Sequence, residues 1–298
     1  MSARPGSLAR REAVAGYLFI APAVLGFLLW TAGPMLASIW LATTDWDLIR
    51  APRPVGLANV QHLLEDDLFW TALVATAYYT VVHVPLALAL AFAIALLLNV
   101  HVRAIGFFRT VYYLPSIVPA VANAVLWVWI FNSEFGLLNL GLETLGLPKV
   151  AWLQDPSWAM PALILMSLWS LGATMVIYLA GLQGVPQHLY EAAAIDGAGA
   201  LPRFWHVTVP MLSPIIFFNL VMQIIGSFQV FTAGYIMTRG GPQNATLFYV
   251  LYLFQNAFQY FKMGYASAMA WVLFLIVLGF SLLVFRYVGR LVHYEESR

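Results

Sequence analysis

Between residues 218 and 235 the chain sets Asn219, Gln223, Ser227 and Gln229 among Phe218, Phe228 and Tyr235, within a stretch free of charged residues. A second such stretch carries Asn123 and Trp127. Amide and hydroxyl groups of this kind exchange hydrogen bonds with a polar solute, and aromatic faces cover its apolar surface. The same residue types also bond helices together in an apolar medium. Each is therefore a candidate contact of a solute pathway and equally a candidate helix-packing residue. Other chemistry has little to stand on. No Gly-x-x-x-x-Gly-Lys-Ser/Thr loop is present to cradle nucleotide phosphates. No nucleophile stands with a base, the 6 histidines show no metal-ligand cluster, and cysteine is absent. No catalytic residue, cofactor site or metal site is expected on this chain. His83, alone in an apolar stretch, reads either as a proton relay or as a neutral partner of a neighbouring helix.

The elements that must hold these residues follow from composition. The chain is 62% hydrophobic and 9% charged, against about 45–50% and about 25% in an ordinary soluble domain. Six intervals dense in Leu, Val, Ile, Ala and aromatics contain no Asp, Glu, Lys or Arg: 13–44, 68–102, 110–133, 156–190, 204–238 and 263–285. Each exceeds the roughly 20 apolar residues that cross a bilayer core. Because lipid offers no hydrogen bonds, such unalternating stretches must pair their own amides as helices. The expected fold class is an all-α integral membrane protein with six transmembrane helices, a single domain over 1–298 with spans near 17–42, 71–98, 112–131, 157–180, 209–236 and 264–287. Leu247 to Tyr260 is too short and too polar for a seventh span, with Gln255, Asn256 and Gln259, and is expected to form a short interfacial or bundle-packed helix. The first apolar run is too long for a cleaved signal and reads as a retained helix. Pro115, Pro119 and Gly226 are positions where the helices can loosen or bend. A net charge of +1 speaks against a nucleic-acid partner; membrane lipid is the expected surround.

Six spans put both termini on one side. That side collects Arg4, Arg10, Arg11, Arg103, Arg109, Arg203, Arg286, Arg290 and Arg298, and the other Arg50, Arg53, Lys149, Arg239 and Lys262, 9 against 5. Basic residues concentrate in the cytoplasm, so both termini, and the loop at 181–210, are expected inside the cell. In that loop Pro186 suits a first helical turn, Tyr190 to Ile195 are mostly helix formers, and Asp196-Gly197 signals a turn. A second short helical piece is expected after Pro202. The pattern predicts a small helix-turn-helix projecting from the membrane.

The run Glu191-Ala192-Ala193, three residues, Gly197, nine residues, then Val207-Thr208-Val209-Pro210 resembles the EAA signature of permeases in binding-protein-dependent ABC importers. Val207 and Val209 stand where the family usually has Ile and Leu. Tyr17-Leu18-Phe19-Ile20-Ala21-Pro22-Ala23, Gly56-Leu57-Ala58-Asn59-Val60 and Met237-Thr238-Arg239-Gly240-Gly241-Pro242 with Thr246 are similar to segments of its sugar-uptake branch, the maltose, lactose and glycerol-phosphate type. The resemblance covers residues 17 to about 285. It implies a permease subunit of a bacterial inner-membrane importer for a sugar or similar polar solute. The implied partners are a second homologous permease, two cytoplasmic ATPases that use ATP and Mg, and an extracytoplasmic solute-binding protein. It further implies that Glu191, Ala192, Ala193, Asp196 and Gly197 form a coupling helix seated in a groove of one ATPase. Two other readings remain: an ion-coupled secondary transporter, against which no intramembrane acid or internal repeat is visible, and a non-transporting membrane assembly subunit.

Overall fold

The computed structural model describes residues 5–100 and 102–289. Arg4, Arg290 and Arg298 of the terminal basic count lie outside the described residues. The chain opens with helix α1 (Pro5–Phe27), loosens into a π turn at Leu28–Ala32 and continues as α2 (Gly33–Ala42). Pro34 follows the loosened turn and has no N–H to donate back into it. A two-stranded antiparallel ribbon, β1 (Thr44–Asp45) with β2 (Arg53–Pro54), leads to α3 (Ala58–Glu65) and the 32-residue α4 (Asp67–Leu98). Asp66 caps α4 by accepting the Leu68 amide at 2.9 Å. Then come α5 (Ile105–Tyr113) with a 3-10 turn at Leu114–Ile117, α6 (Ala120–Ile130), α7 (Leu137–Thr144), α8 (Pro156–Trp169) and α9 (Gly172–Gly184). The remainder comprises α10 (Gln187–Ile195), α11 (Ala200–Arg203), α12 (Val209–Phe228), α13 (Tyr249–Phe254) and α14 (Met263–Tyr287).

Among the described residues four helical stretches are long and apolar enough to cross a membrane: Leu8–Ala42, Asp67–Leu98, Ala200–Phe228 and Met263–Tyr287. Two bent pairs make as many as six if each pair is one span. The stretch expected as the third span turns by 98° between Ile105–Ile117 and Ala120–Ile130. Pro119 disfavours helical geometry at Val118, whose ψ of 128° is extended. The fourth stretch bends by 47° between α8 and α9. Here packing sets the bend: a Cβ on Gly172 would lie 2.7 Å from the Tyr112 carbonyl oxygen, so only glycine lets the chain pass that close. The helix expected over 209–236 begins earlier, at Ala200, and ends at Phe228; Gly234–Thr238 is a separate π turn. Between Leu247 and Tyr260 lie α13 and a following π turn, Gln255–Gln259.

The chain divides into two compact units, one holding the N-terminal part through Glu65 with Phe254–Val272, the other Asp66–Leu253 with the segment from Leu273. In the first, Asn59 donates its amide to the carbonyls of Ala42 (2.9 Å) and Thr44 (2.8 Å), tying α3 to the end of α2. The Trp46 carbonyl accepts the Met263 amide at 2.9 Å, and Trp271 Nε1 donates to Ser38 Oγ at 3.0 Å. Gly264 faces the Thr44 carbonyl so closely that a Cβ would overlap it.

In the second unit α4 packs against α8, α9 and α12. Ala87, Ala91 and Ala95, four residues apart, are fully buried against Met175, Tyr178, Leu179, Leu182 and Leu212. Small residues at this spacing let membrane helices approach closely, which replaces the hydrophobic drive that lipid cannot supply. Near the other end of α4, Thr76 Oγ1 donates to Ala72 O and accepts the Tyr249 amide, both at 2.8 Å. The motif at 237–246 is a folded loop: Thr238 and Thr246 hydroxyls lie 2.6 Å apart, Thr246 donates to Gly241 O at 2.6 Å, and Thr246 is fully buried.

Candidate solute pathway and coupling segment

Asn219, Gln223 and Ser227 stand at four-residue spacing on one side of α12. Asn219 and Ser227 are buried and bond carbonyls of their own helix, Ile215 O at 3.0 Å and Ile224 O at 2.9 Å. Their donors are satisfied locally. Gln223 reaches across to Thr174 Oγ1 of α9 at 3.1 Å. Gln229 and Tyr235 lie beyond the end of α12, both exposed, with Tyr235 stacked on Phe231 at 5.2 Å. The structure thus brings Asn219, Gln223 and Ser227 together but separates Gln229 and Tyr235 from them by the end of the helix.

The second group behaves differently. Asn123, buried on α6, donates weakly to Ser170 Oγ at 3.4 Å, and its Oδ1 has no partner. Trp127, one turn on, holds its Nε1 shielded from solvent and also unpartnered, with its ring 5.8 Å from that of Trp169. A buried acceptor and a buried donor left open cost about 1–3 kcal/mol each unless something bonds them. Of the seven pathway residues expected from sequence, these two hold buried polar atoms without a partner. Sequence reasoning passed over three polar residues on the fourth stretch: Ser170, which meets Asn123, Ser167, which meets His83, and Thr174, which meets Gln223. Their three- and four-residue spacing was the available signal. Ser167 Oγ of α8 lies 2.8 Å from His83 Nδ1, and His83 stacks on Tyr79 of its own helix at 5.0 Å, so His83 is a packed group bonded to a neighbouring helix.

The loop at 181–210 forms a helix, a turn and a second helix. Pro186 caps α10 in extended geometry. At its other end the Gly197 amide bonds Ala194 O at 3.1 Å and the Ala198 amide bonds Ala193 O at 2.9 Å. This pair of bonds is the Schellman ending, which requires a left-handed residue, and Gly197 has φ of +78°. The chain then re-enters helix at Ala200, two residues before Pro202, and runs without a break through a π turn at Phe204–Thr208 into α12. Tyr190 Oη lies 3.0 Å from the buried Thr208 Oγ1, bracing α10 against the base of that helix. Glu191, Ala192, Asp196 and Gly197 are exposed, Ala193 is half-buried, and Glu191 makes no ion pair among the described residues. Beside them stand Ile195, 86% exposed, Leu201 and Trp205. These three apolar side chains were not singled out from sequence, where nothing marks them as exposed on the folded surface.

Residues 83–293 match the family described as "Binding-protein-dependent transport system inner membrane component". The chain belongs to this family. As such a transport component it is 46% identical over 293 residues to "Probable ABC transporter permease protein YesP" of Bacillus subtilis, covering 97% of this chain and 94% of that protein. It is 35% identical to the "Trehalose/maltose transport system permease protein MalF" of Thermococcus litoralis, covering 94% and 95%, and 35% identical to the "Lactose transport system permease protein LacF" of Rhizobium radiobacter, likewise covering 94% and 95%. The crystal structure of a bacterial ABC transporter involved in the import of the acidic polysaccharide alginate contains a chain of the same fold, with TM-score 0.83 and 22% identity over 97% of this inner membrane component and 99% of that chain.

Proposed function

We propose that this ABC importer permease translocates a sugar or related polar solute across the bacterial cytoplasmic membrane. It does so as six spans with both termini inside, beside a second homologous permease. Two ATPase subunits supply the energy from ATP and Mg, and an extracytoplasmic binding protein delivers the solute. The relatives named for trehalose, maltose and lactose support the solute class.

The observation that carries the reading is the exposed face of α10 and its Gly197 turn, braced to the transmembrane helix that holds Gln223. Ala192 allows a partner backbone to come close, Glu191 offers a carboxylate to a basic group, and Ile195, Leu201 and Trp205 offer apolar surface. Displacement of α10 would pass through the Tyr190–Thr208 contact into the continuous helix Ala200–Phe228, and from Gln223 through Thr174 to α9. Asn123 and Trp127, with unfilled hydrogen-bonding capacity, are the proposed solute contacts; Asn219, Gln223, Ser227, Gln229 and Tyr235 complete the proposed pathway.

The test is uptake into vesicles containing the assembled complex. Uptake that requires both ATP and the binding protein is expected. Uptake driven by an ion gradient without ATP would replace this reading with a secondary carrier.

A further inference from the structure

A cavity of about 640 Å³ opens where α4 ends and α5 begins, beside the end of α9. Its polar lining is Asn99, Arg103, Arg109 and Gln183, and its apolar wall includes Val100 and Ile105. Arg109 is half-buried; Nη2 donates to Leu98 O at 3.0 Å, while Nε is shielded from solvent and has no partner. A guanidinium has five N–H donors, so one bond leaves most of this fork unfilled. No carboxylate lies within ion-pair distance of Arg103 or Arg109 among the described residues.

Helix ends modify this charge without reversing it. α4 and α9 end at the cavity and α5 starts there. Each helix end carries about half a unit charge, so the two negative ends and one positive end subtract about half a charge from the two guanidiniums. The cavity remains positive by roughly one and a half charges. A partly buried cation without a counter-ion is costly, and an anion that fills the fork relieves that cost. The volume lies in the range of small-ligand sites, about 300–1,000 Å³.

We infer that this cavity binds a phosphate group, with the phosphodiester of an anionic lipid such as phosphatidylglycerol as its membrane source. Planar bidentate donors suit phosphate oxygens, and basic pockets between membrane helices at the cytoplasmic face take anionic headgroups. The apolar wall of Val100 and Ile105 lies where the first acyl carbons would leave the headgroup. Gln183 stands three residues before Pro186, so an occupant would touch the segment leading into α10. The inference adds a lipid or phosphate site to the proposed transporter and takes from that reading only the cytoplasmic placement of the 98–105 segment.

Native mass spectrometry of the full-length chain, purified from vesicles of equal phosphatidylglycerol and phosphatidylcholine, reads retained lipid directly and needs no transport activity. Phosphatidylglycerol should be enriched. Arg103→Gln, which removes an exposed side chain with no internal bond, should lower its retention about fivefold, the factor matching about 1 kcal/mol per basic side chain near the membrane. Arg109→Gln should lower it at least as much, and Arg50→Gln, on the other side, should leave it unchanged. A parallel titration of delipidated protein with inorganic phosphate separates the sources. Arginine-dependent phosphate binding without lipid enrichment would keep the phosphate site and assign it to a soluble anion. Lipid retention and phosphate binding that both ignore Arg103 and Arg109 would overturn the inference. So would unchanged retention with reduced co-purification of the ATPase, which would assign the arginines to subunit docking.

Discussion

Gly197 sits at an open left-handed turn and Gly264 against the Thr44 carbonyl, so replacement should damage them in different ways. At Gly197 a Cβ would meet nothing within 4 Å, and the only obstacle is φ of +78°. An L-residue held there costs about 1–2 kcal/mol, a factor of roughly 5–30 in the population of the correctly closed turn. Escape from that strain breaks the Gly197–Ala194 and Ala198–Ala193 bonds and re-aims the chain between α10 and α11. Gly197→Val, whose β-branch resists the left-handed region most, should insert at normal abundance but lose most solute uptake and solute-stimulated ATP hydrolysis. Gly197→Ala should show the same effect more mildly. At Gly264 φ is ordinary, but a methyl group would overlap the Thr44 carbonyl oxygen and crowd its carbon at 2.9 Å. Gly264→Ala should therefore lower membrane abundance itself. The assay is quantitative immunoblotting of membranes beside uptake in the same cells. Normal uptake by Gly197→Val would refute the coupling argument, and normal abundance of Gly264→Ala would refute the packing argument.

Glu191→Lys should leave abundance intact and abolish uptake, because a basic partner would meet like charge; retained uptake would remove Glu191 from the docking surface. Asn139→Leu should lower the melting temperature in detergent by the equivalent of about 3 kcal/mol, since the buried amide donates to Ser133 O and Val150 O and accepts from the Val150 amide and Trp152 Nε1. Thr76→Val should destabilise by about 1–3 kcal/mol, because the Tyr249 amide loses its buried acceptor. A thermal-shift measurement checks both.

How far the sequence spoke varies residue by residue. The apolar intervals announce long helices because lipid leaves the backbone no other partner, and α4, α14 and the helix ending at Phe228 follow from that alone. Pro115 and Pro119 mark a place where the third stretch can bend, but the 98° turn belongs to the packing around it. The bend before Gly172 comes from the approach of Tyr112 and Tyr113, about sixty residues away in sequence, which no local pattern encodes. In the proposed coupling segment Gly197 was legible because its left-handed turn is a local requirement. Ile195, Leu201 and Trp205 were not, since their exposure is a property of the folded surface. Among the proposed pathway residues, composition did not distinguish Asn219 and Ser227, which spend their donors on their own helix, from Asn123 and Trp127, which hold buried polar atoms open. That distinction rests on which carbonyl or hydroxyl lies within 3.5 Å, a matter of rotamer and neighbour.

The chain contains no cysteine, so a single Ala192→Cys gives one unambiguous reporter on the exposed face of α10. In the assembled complex an oxidant should link it to a cysteine placed in the groove of the ATPase subunit, and an impermeant thiol reagent added outside intact cells should not reach it. Labelling from outside the cell, with no cross-link to the ATPase, would contradict the claim that this helix joins the motor to the pathway.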